Sequence, residues 1–186
     1  MGTERLTIRA ALAALLVLAL AGCRGDASEP ADPSTGDAAT VEWVNDGDTL
    51  TLRGGAKVRL VQIDAPELQS DAPELVTECY GRDATRALAA LAPEGTRVTL
   101  SGDGGLDDRD QHGRLLRYVV VGETNVNVEL VRRGAASPYF FRNDRGRHAD
   151  ELLDAVDEAR RAGRGYWGTC PGAELNPGLG AITGPS

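Results

Sequence analysis

The sequence predicts an α+β fold, a small five-stranded β-barrel carrying three helices. Three observations lead there. Three short β-type runs follow one another between residues 41 and 64, and two more flank a long polar loop at 102–113. Apolar spacing turns helical near 80–91 and 148–162, and a capping Asn127 with a stop at Gly134 marks a third, short helix near 127–133.

The elements follow in order. Val41-Glu42-Trp43-Val44 and Thr49-Leu50-Thr51-Leu52-Arg53 are rich in β-branched residues, with Asn45-Asp46-Gly47 between them. Gly54-Gly55 signals a hairpin turn, and a third strand, Lys57 to Asp64, completes a meander. Residues 65–78 form a loop containing two prolines. Tyr80 to Leu91 reads as a helix with Ala84, Ala87, Leu88 and Leu91 on one face, stopped by Pro93 and Gly95. Arg97-Val98-Thr99-Leu100 and Leu115 to Val121 are the fourth and fifth strands. Asn127 is expected to cap a short helix through Arg133, ended by Gly134. The last helix spans about His148 to Ala162, with Leu152, Leu153, Val156 and Ala159 inward and Gly163 as its stop. Trp43 and Trp167 read as core or barrel-end residues. The order β-β-β-α-β-β-α-α is compatible with an OB-type barrel.

The ends of the chain read differently. Arg5 and Arg9 precede an apolar run, Ala10–Ala21, that is short for a bilayer span and reads as a signal peptide over residues 1–22. Leu20-Ala21-Gly22-Cys23 resembles a bacterial lipobox, in which lipid is attached to the cysteine. Residues 23–40 lack apolar periodicity and are expected to be a disordered tether, with the domain at 41–171 and a loose Gly/Pro-rich tail at 172–186. The expected location is therefore outside the cell, held to the membrane's outer face through Cys23 or partly released from it. Cys79 and Cys170 then remain in an oxidising compartment, as a bridge closing about 90 residues or as two free thiols.

Net charge is −8, from 20 Lys+Arg against 28 Asp+Glu. That excludes gripping nucleic acid by general basicity, so any such activity needs a local cluster with a metal offsetting charge. Three segments supply one: Asp46-Gly47-Asp48-Thr49, Arg59-Leu60-Val61-Gln62-Ile63-Asp64-Ala65-Pro66-Glu67, and Asp110-Gln111-His112-Gly113-Arg114. Neighbouring meander strands bring Asp48 close to Asp64, and two carboxylates suit calcium as hard oxygen ligands. Glu67, past a proline on the loop leaving the strand, is placed to hold or activate a water. Arg59 and Arg114 offer planar forks for phosphate oxygens.

With these segments, Glu78-Cys79-Tyr80-Gly81, Val126-Asn127, Leu130-Val131-Arg132-Arg133-Gly134 and Gly165-Tyr166-Trp167 occur in an order and spacing that resemble the staphylococcal nuclease (thermonuclease) family over about residues 41–170. The resemblance implies a nuclease of that fold in which Asp48, Asp64 and the backbone carbonyl of Ala65 hold Ca2+. Thr49 corresponds to a residue that lines the family's metal site. The family often has threonine where Ala65 stands, a change that a carbonyl ligand tolerates. Glu67 corresponds to the family's debated general base; Arg59 and Arg114 correspond to its phosphate-binding, transition-state-stabilising pair. A lysine–tyrosine pair of the family is replaced by Gln111 and His112, so His112 either replaces a substrate hydrogen bond or is solvated loop. Tyr139 is the expected substrate-side aromatic, with Phe140 as the alternative across Ser137-Pro138. The implied activity is calcium-dependent hydrolysis of DNA and RNA by a monomer, with little sequence preference and 3′-phosphate ends. Its rivals are a non-catalytic OB-fold surface lipoprotein that binds oligonucleotide or another ligand, and an interaction lipoprotein with a structural calcium site.

Overall fold

The computed structural model describes residues 36–68 and 78–182; the expected signal peptide, Cys23 and the tether up to 35 lie outside the described residues. Strands run Asp37–Val44 (β1), Thr49–Leu52 (β2), Lys57–Leu60 (β3), Ile63–Asp64 (β4), Arg97–Ser101 (β5), Leu115–Val121 (β6), Thr124–Asn125 (β7), Ser137–Pro138 (β8), Glu174–Asn176 (β9) and Gly180–Ile182 (β10). Helices are Gly81–Leu91 (α1), Val126–Arg132 (α2) and Ala149–Arg161 (α3), followed by a single turn at Tyr166–Thr169 (α4).

The barrel is the ring β3-β2-β1-β5-β6, closed by a parallel pairing of β3 with β6 that sets Val58 against Leu115 and Leu60 against Arg117. Closure leaves no open edge within the ring. Its interior is apolar, with Val41, Leu50, Val58, Leu60, Leu100 and Val119 all fully buried. On β5 the alternation is clean: Val98 and Leu100 point in, Arg97 and Thr99 out.

β1 corrects the expected start of the domain. Asp37–Thr40 pair with β5, while Val41–Val44 pair with β2 across an irregularity between Val41 and Trp43. One bent strand thus serves both sides of the barrel, and residues 37–40, expected as tether, supply the ladder that β5 needs. Trp43, expected in the core or at a barrel end, is 48% exposed.

The expected single strand from Lys57 to Asp64 is also interrupted. Val61 and Gln62 form a turn, with Gln62 at φ 64, and Ile63–Asp64 leave the barrel to pair with Ser137–Pro138. Gln62 holds that break in place. Its Oε1 accepts from Gly146 N at 2.7 Å, its Nε2 donates to Asp144 O at 2.8 Å, and its carbonyl accepts from Tyr139 N at 2.9 Å.

The helices pack where their apolar stripes require. α1 buries Gly81, Ala84 and Leu88, and α3 buries Leu152, Ala155, Val156 and Ala159. α3 also places Asp150 and Glu151 in its first turn and Arg160 and Arg161 in its last, matching the helix dipole. The expected cap of α2 shifts by two residues: Asn125 accepts from the N–H groups of Asn127 and Val128. Asn127 is fully buried instead, where its Oδ1 accepts from Val119 N at 3.0 Å and its Nδ2 donates to Val61 O at 2.8 Å.

Cys79 and Cys170 are joined by a disulfide that ties the start of α1 to the end of α4. Beyond it, the expected loose tail contains an ordered hairpin, β9–β10, whose Leu175 packs against the core.

Candidate active site

The carboxylates come from two different elements, Asp48 from the turn before β2 and Asp64 from the short strand β4. Asp48 closes the Asn45–Asp48 turn ahead of β2, where Asp46 Oδ1 accepts its backbone N–H at 3.1 Å. It is only 6% exposed. Asp48 Oδ1 accepts from Thr49 Oγ1 at 3.1 Å, and its Oδ2 accepts from Ala65 N at 2.9 Å. Burial pushes the Asp48 carboxyl up to about 7, although the adjacent Arg59 charge pulls the other way.

Arg59 lies across the break in the chain. Its Nη1 donates to the carbonyls of Leu60 at 2.9 Å and Ile63 at 2.7 Å. Its Nη2 sits 3.0 Å from Asp48 Oδ2 and 2.7 Å from Asp64 Oδ1. On an uninterrupted strand, residues five apart point to opposite faces, so Arg59 and Asp64 would be separated. The Gln62 turn reverses that parity and brings them together.

Arg114 enters from the other side. Asp110 holds it through Nε at 2.6 Å and through its backbone N–H at 3.0 Å. Arg114 Nη1 donates to Thr49 Oγ1 at 3.2 Å, and that hydroxyl donates onward to Asp48. A continuous polar chain therefore runs Arg114–Thr49–Asp48–Arg59–Asp64.

Glu67 stands beside this chain on an exposed loop. Partial loss of water around its carboxyl, followed by the negative charges of Asp46 and Asp64, holds it above the usual glutamate value. Its backbone is fixed to the start of α1: Glu67 N donates to Glu78 Oε2 at 3.0 Å, and Glu67 O accepts from Glu78 N at 3.1 Å. Gly81 permits this approach, since a Cβ there would lie 2.4 Å from the Glu67 carbonyl oxygen.

A cavity of about 450 Å³ opens beside the cluster, lined among others by Arg59, Gln62, Arg109, His112, Arg114 and Tyr139. His112 is exposed, with its N–H bonded to Asp110 Oδ1 at 2.9 Å and its ring 3.3 Å from Gln111 Nε2. Of the two aromatic candidates, Tyr139 faces the cavity, while Phe140 is 3% exposed and belongs to the core. Residues not singled out from the sequence join the lining. Phe141 is 52% exposed, lies 6.4 Å from the Tyr139 ring, and carries the Arg142 guanidinium 4.8 Å from its own centroid. The run Tyr139-Phe140-Phe141-Arg142 held the signal, an aromatic cluster ending in a cation, but its facing depends on the β4–β8 pairing. Asp46 was likewise legible only as a turn residue.

Among the described residues, no group of three or more His, Cys, Asp or Glu side chains closes a metal cage. Asp48, Asp64 and the Ala65 carbonyl are the residues that would hold a cation here, an all-oxygen set that suits a hard cation retaining water. The donor set fits. A positive group, Arg59 Nη2, already lies within 3.0 Å of both carboxylates, so the two converge on a common cation position.

Fold and site together define a class: a small β-barrel protein with carboxylates and arginine forks clustered beside a cavity partly lined by aromatic rings. Comparison with known proteins narrows it. The model of the staphylococcal nuclease homologue family matches residues 57–169. Similar proteins include an endonuclease, YhcR, of Bacillus subtilis (strain 168), 33% identical over an alignment of 151 positions that covers 75% of this chain and 12% of that protein. An uncharacterized endonuclease of Escherichia coli O157:H7 is 36% identical over 67% of this chain and 72% of its own length. The thermonuclease of Staphylococcus intermedius is 32% identical over 71% of this chain and 77% of its own. The chain belongs to the staphylococcal nuclease family, and nuclease activity is the coarse function that its domain and relatives support.

Proposed function

We propose that this protein is a calcium-dependent nuclease that hydrolyses phosphodiester bonds in DNA and RNA with little sequence preference, leaving 3′-phosphate ends. The observation that carries this reading is the polar chain Arg114–Thr49–Asp48–Arg59–Asp64, which joins both guanidinium groups to both carboxylates at the cavity's edge.

Asp48, Asp64 and the Ala65 carbonyl would hold calcium, which supplies positive charge and Lewis acidity beside the scissile phosphate. Arg59 and Arg114 bind the non-bridging oxygens, whose charge grows as the attacking oxygen adds, and a planar fork suits that geometry. Glu67 orients the attacking water and accepts its proton; its raised pKa favours that acceptance near neutrality. Tyr139 and Phe141 offer ring faces to bases, which explains tolerance of sequence, since stacking is open to every base. His112 contributes a polar contact at the same rim.

The Cys79–Cys170 bridge supports an oxidising location. With the lipobox-like Leu20-Ala21-Gly22-Cys23, it favours an exported protein anchored by lipid on Cys23. Mass spectrometry of the membrane fraction checks that modification.

The activity test incubates the protein with plasmid DNA or RNA in calcium, then adds chelator. Cleavage should stop on chelation, and Glu67→Gln and Arg114→Lys should each lower kcat roughly 100-fold or more. DNA that stays intact in calcium, or is cut equally with chelator present, overturns the proposal. Oligonucleotide binding without turnover would instead favour a binding barrel.

A further inference from the structure

The family match ends at residue 169, yet the chain continues into a folded hairpin. Asn176 closes its turn, accepting from Leu179 N at 2.9 Å through its carbonyl and from Gly178 N at 3.1 Å through its side chain. A two-stranded hairpin is marginal alone, so its contacts with the domain decide its position. Pro177 O accepts from Phe140 N at 2.6 Å, and Ala181 N donates to Asp64 Oδ2 at 3.0 Å.

That second contact touches the catalytic cluster. Ala181 sits opposite Leu175 in the hairpin, but its N–H is directed at Asp64. The approach requires glycine at the preceding position. Gly180 has φ +86, and a Cβ there would lie 2.4 Å from Asp64 Oδ2 and 2.8 Å from its Cγ. The two carboxylate oxygens are thereby divided. Oδ1 faces Arg59 and, through it, Asp48; Oδ2 is held from behind by the hairpin.

We propose that the C-terminal hairpin is a positioning element for the cation site, in which the Ala181 N–H and the Gly180 backbone hold Asp64 by its outer oxygen and aim the inner one toward Asp48. The inference rests on reading Asp48 and Asp64 as cation ligands. A carboxylate anchored at one oxygen loses less rotational freedom when the other binds a metal. Outer hydrogen-bond partners of this kind are typically worth 10–100-fold in metal affinity. Ala181 and Gly180 are positioning residues, and neither touches the reacting phosphate.

The test uses the full chain as wild type, Ala181→Pro, Gly180→Ala, and a form ending after Gly172. Calcium alone is titrated by calorimetry, and thermal melting is followed separately in chelator. Ala181→Pro removes the donor to Asp64 and no donor to β9. It should weaken calcium binding roughly 10–100-fold while leaving melting in chelator unchanged. Gly180→Ala and the truncation should weaken binding at least as much. Unchanged affinity in Ala181→Pro, or affinity that rises on truncation, overturns the proposal; the second result would mean that the hairpin obstructs the cation. Loss of affinity matched by loss of melting temperature in every variant overturns it too, leaving a structural role only. A wild-type chain that binds no calcium sinks the calcium reading along with this one. Wild-type binding with unaffected variants sinks this one alone.

Discussion

Asn127 carries more of the fold than its place on a short helix suggests, and replacing it gives a sharp test. The side chain is fully buried and bonds three backbone groups: Val119 N at 3.0 Å, Val61 O at 2.8 Å and Arg117 O at 3.3 Å. Arg117 O also accepts from Val61 N at 2.9 Å, so it keeps a partner in Asn127→Ala. Val119 N–H and Val61 C=O lose theirs. At about 1–3 kcal/mol for each buried group left unsatisfied, the expected loss is roughly 2–6 kcal/mol. That is a large share of a total stability of about 5–15 kcal/mol. For a domain of this size, a loss of about 4 kcal/mol lowers Tm by roughly 8–16 °C. Urea denaturation with an unchanged m-value is the assay, with melting as a second measure. Val61 leads into the Gln62 turn, so calcium affinity should fall as well. Asn127→Asp keeps the acceptor for Val119 but points a carboxylate oxygen at the Val61 carbonyl. Its stability should recover partly as acid protonates that group and restores a donor. A loss below about 1 kcal/mol in Asn127→Ala would show that water or a shifted backbone satisfies these groups, and the reasoning would fail.

Three further outcomes are expected. Removing the disulfide with Cys79→Ser and Cys170→Ser frees a loop spanning a sequence separation of 91, worth about 4–5 kcal/mol in the chain-entropy model and measurable by denaturation. A variant as stable as wild type would mean that the bridge constrains nothing in the unfolded chain. Gly81→Val should push the Glu67 carbonyl from its seat on α1, lowering kcat with calcium affinity retained; a purely structural glycine would lower Tm and leave kcat alone. Asp103 and Asp110 bear on acid stability. Burial would raise both carboxyls, but bonds from Arg147 N, Gly105 N and Tyr118 to Asp103, and from Arg114 and His112 N to Asp110, outweigh it and hold both below the usual value. A depressed folded value means that the stabilisation is complete above the unfolded aspartate pKa. It is lost as pH falls through about 4 toward the lower folded value. Asp103→Asn and Asp110→Asn should each flatten the acid limb of the stability curve, and an unaltered limb would contradict this.

Most elements were legible because their causes are local. Ala84 and Leu88 mark the inward face of α1, alternation marks β5, and Gly54-Gly55 marks the turn between β2 and β3. Asp48, Arg59, Asp64, Glu67 and Arg114 stood out by residue type and spacing, and four of them are joined in one polar chain. What was misread depended on partners distant in sequence. Residues 37–40 look like tether until β5 lies beside them, and 174–182 look like loose tail until Asp64 and Phe140 supply acceptor and donor.

The amino-acid order by itself determined most of the segments that become strand or helix and which functional groups stand near one another along the chain, since propensity, periodicity and residue type are properties of short stretches. Tertiary structure alone decided that Gln62 adopts a positive φ, because the bonds holding it come from Asp144, Gly146 and Tyr139, some eighty residues away. That turn sets Asp64 against Arg59 rather than behind it. Strand parity is a local rule, and at Gln62 hydrogen bonds from distant residues overrule it.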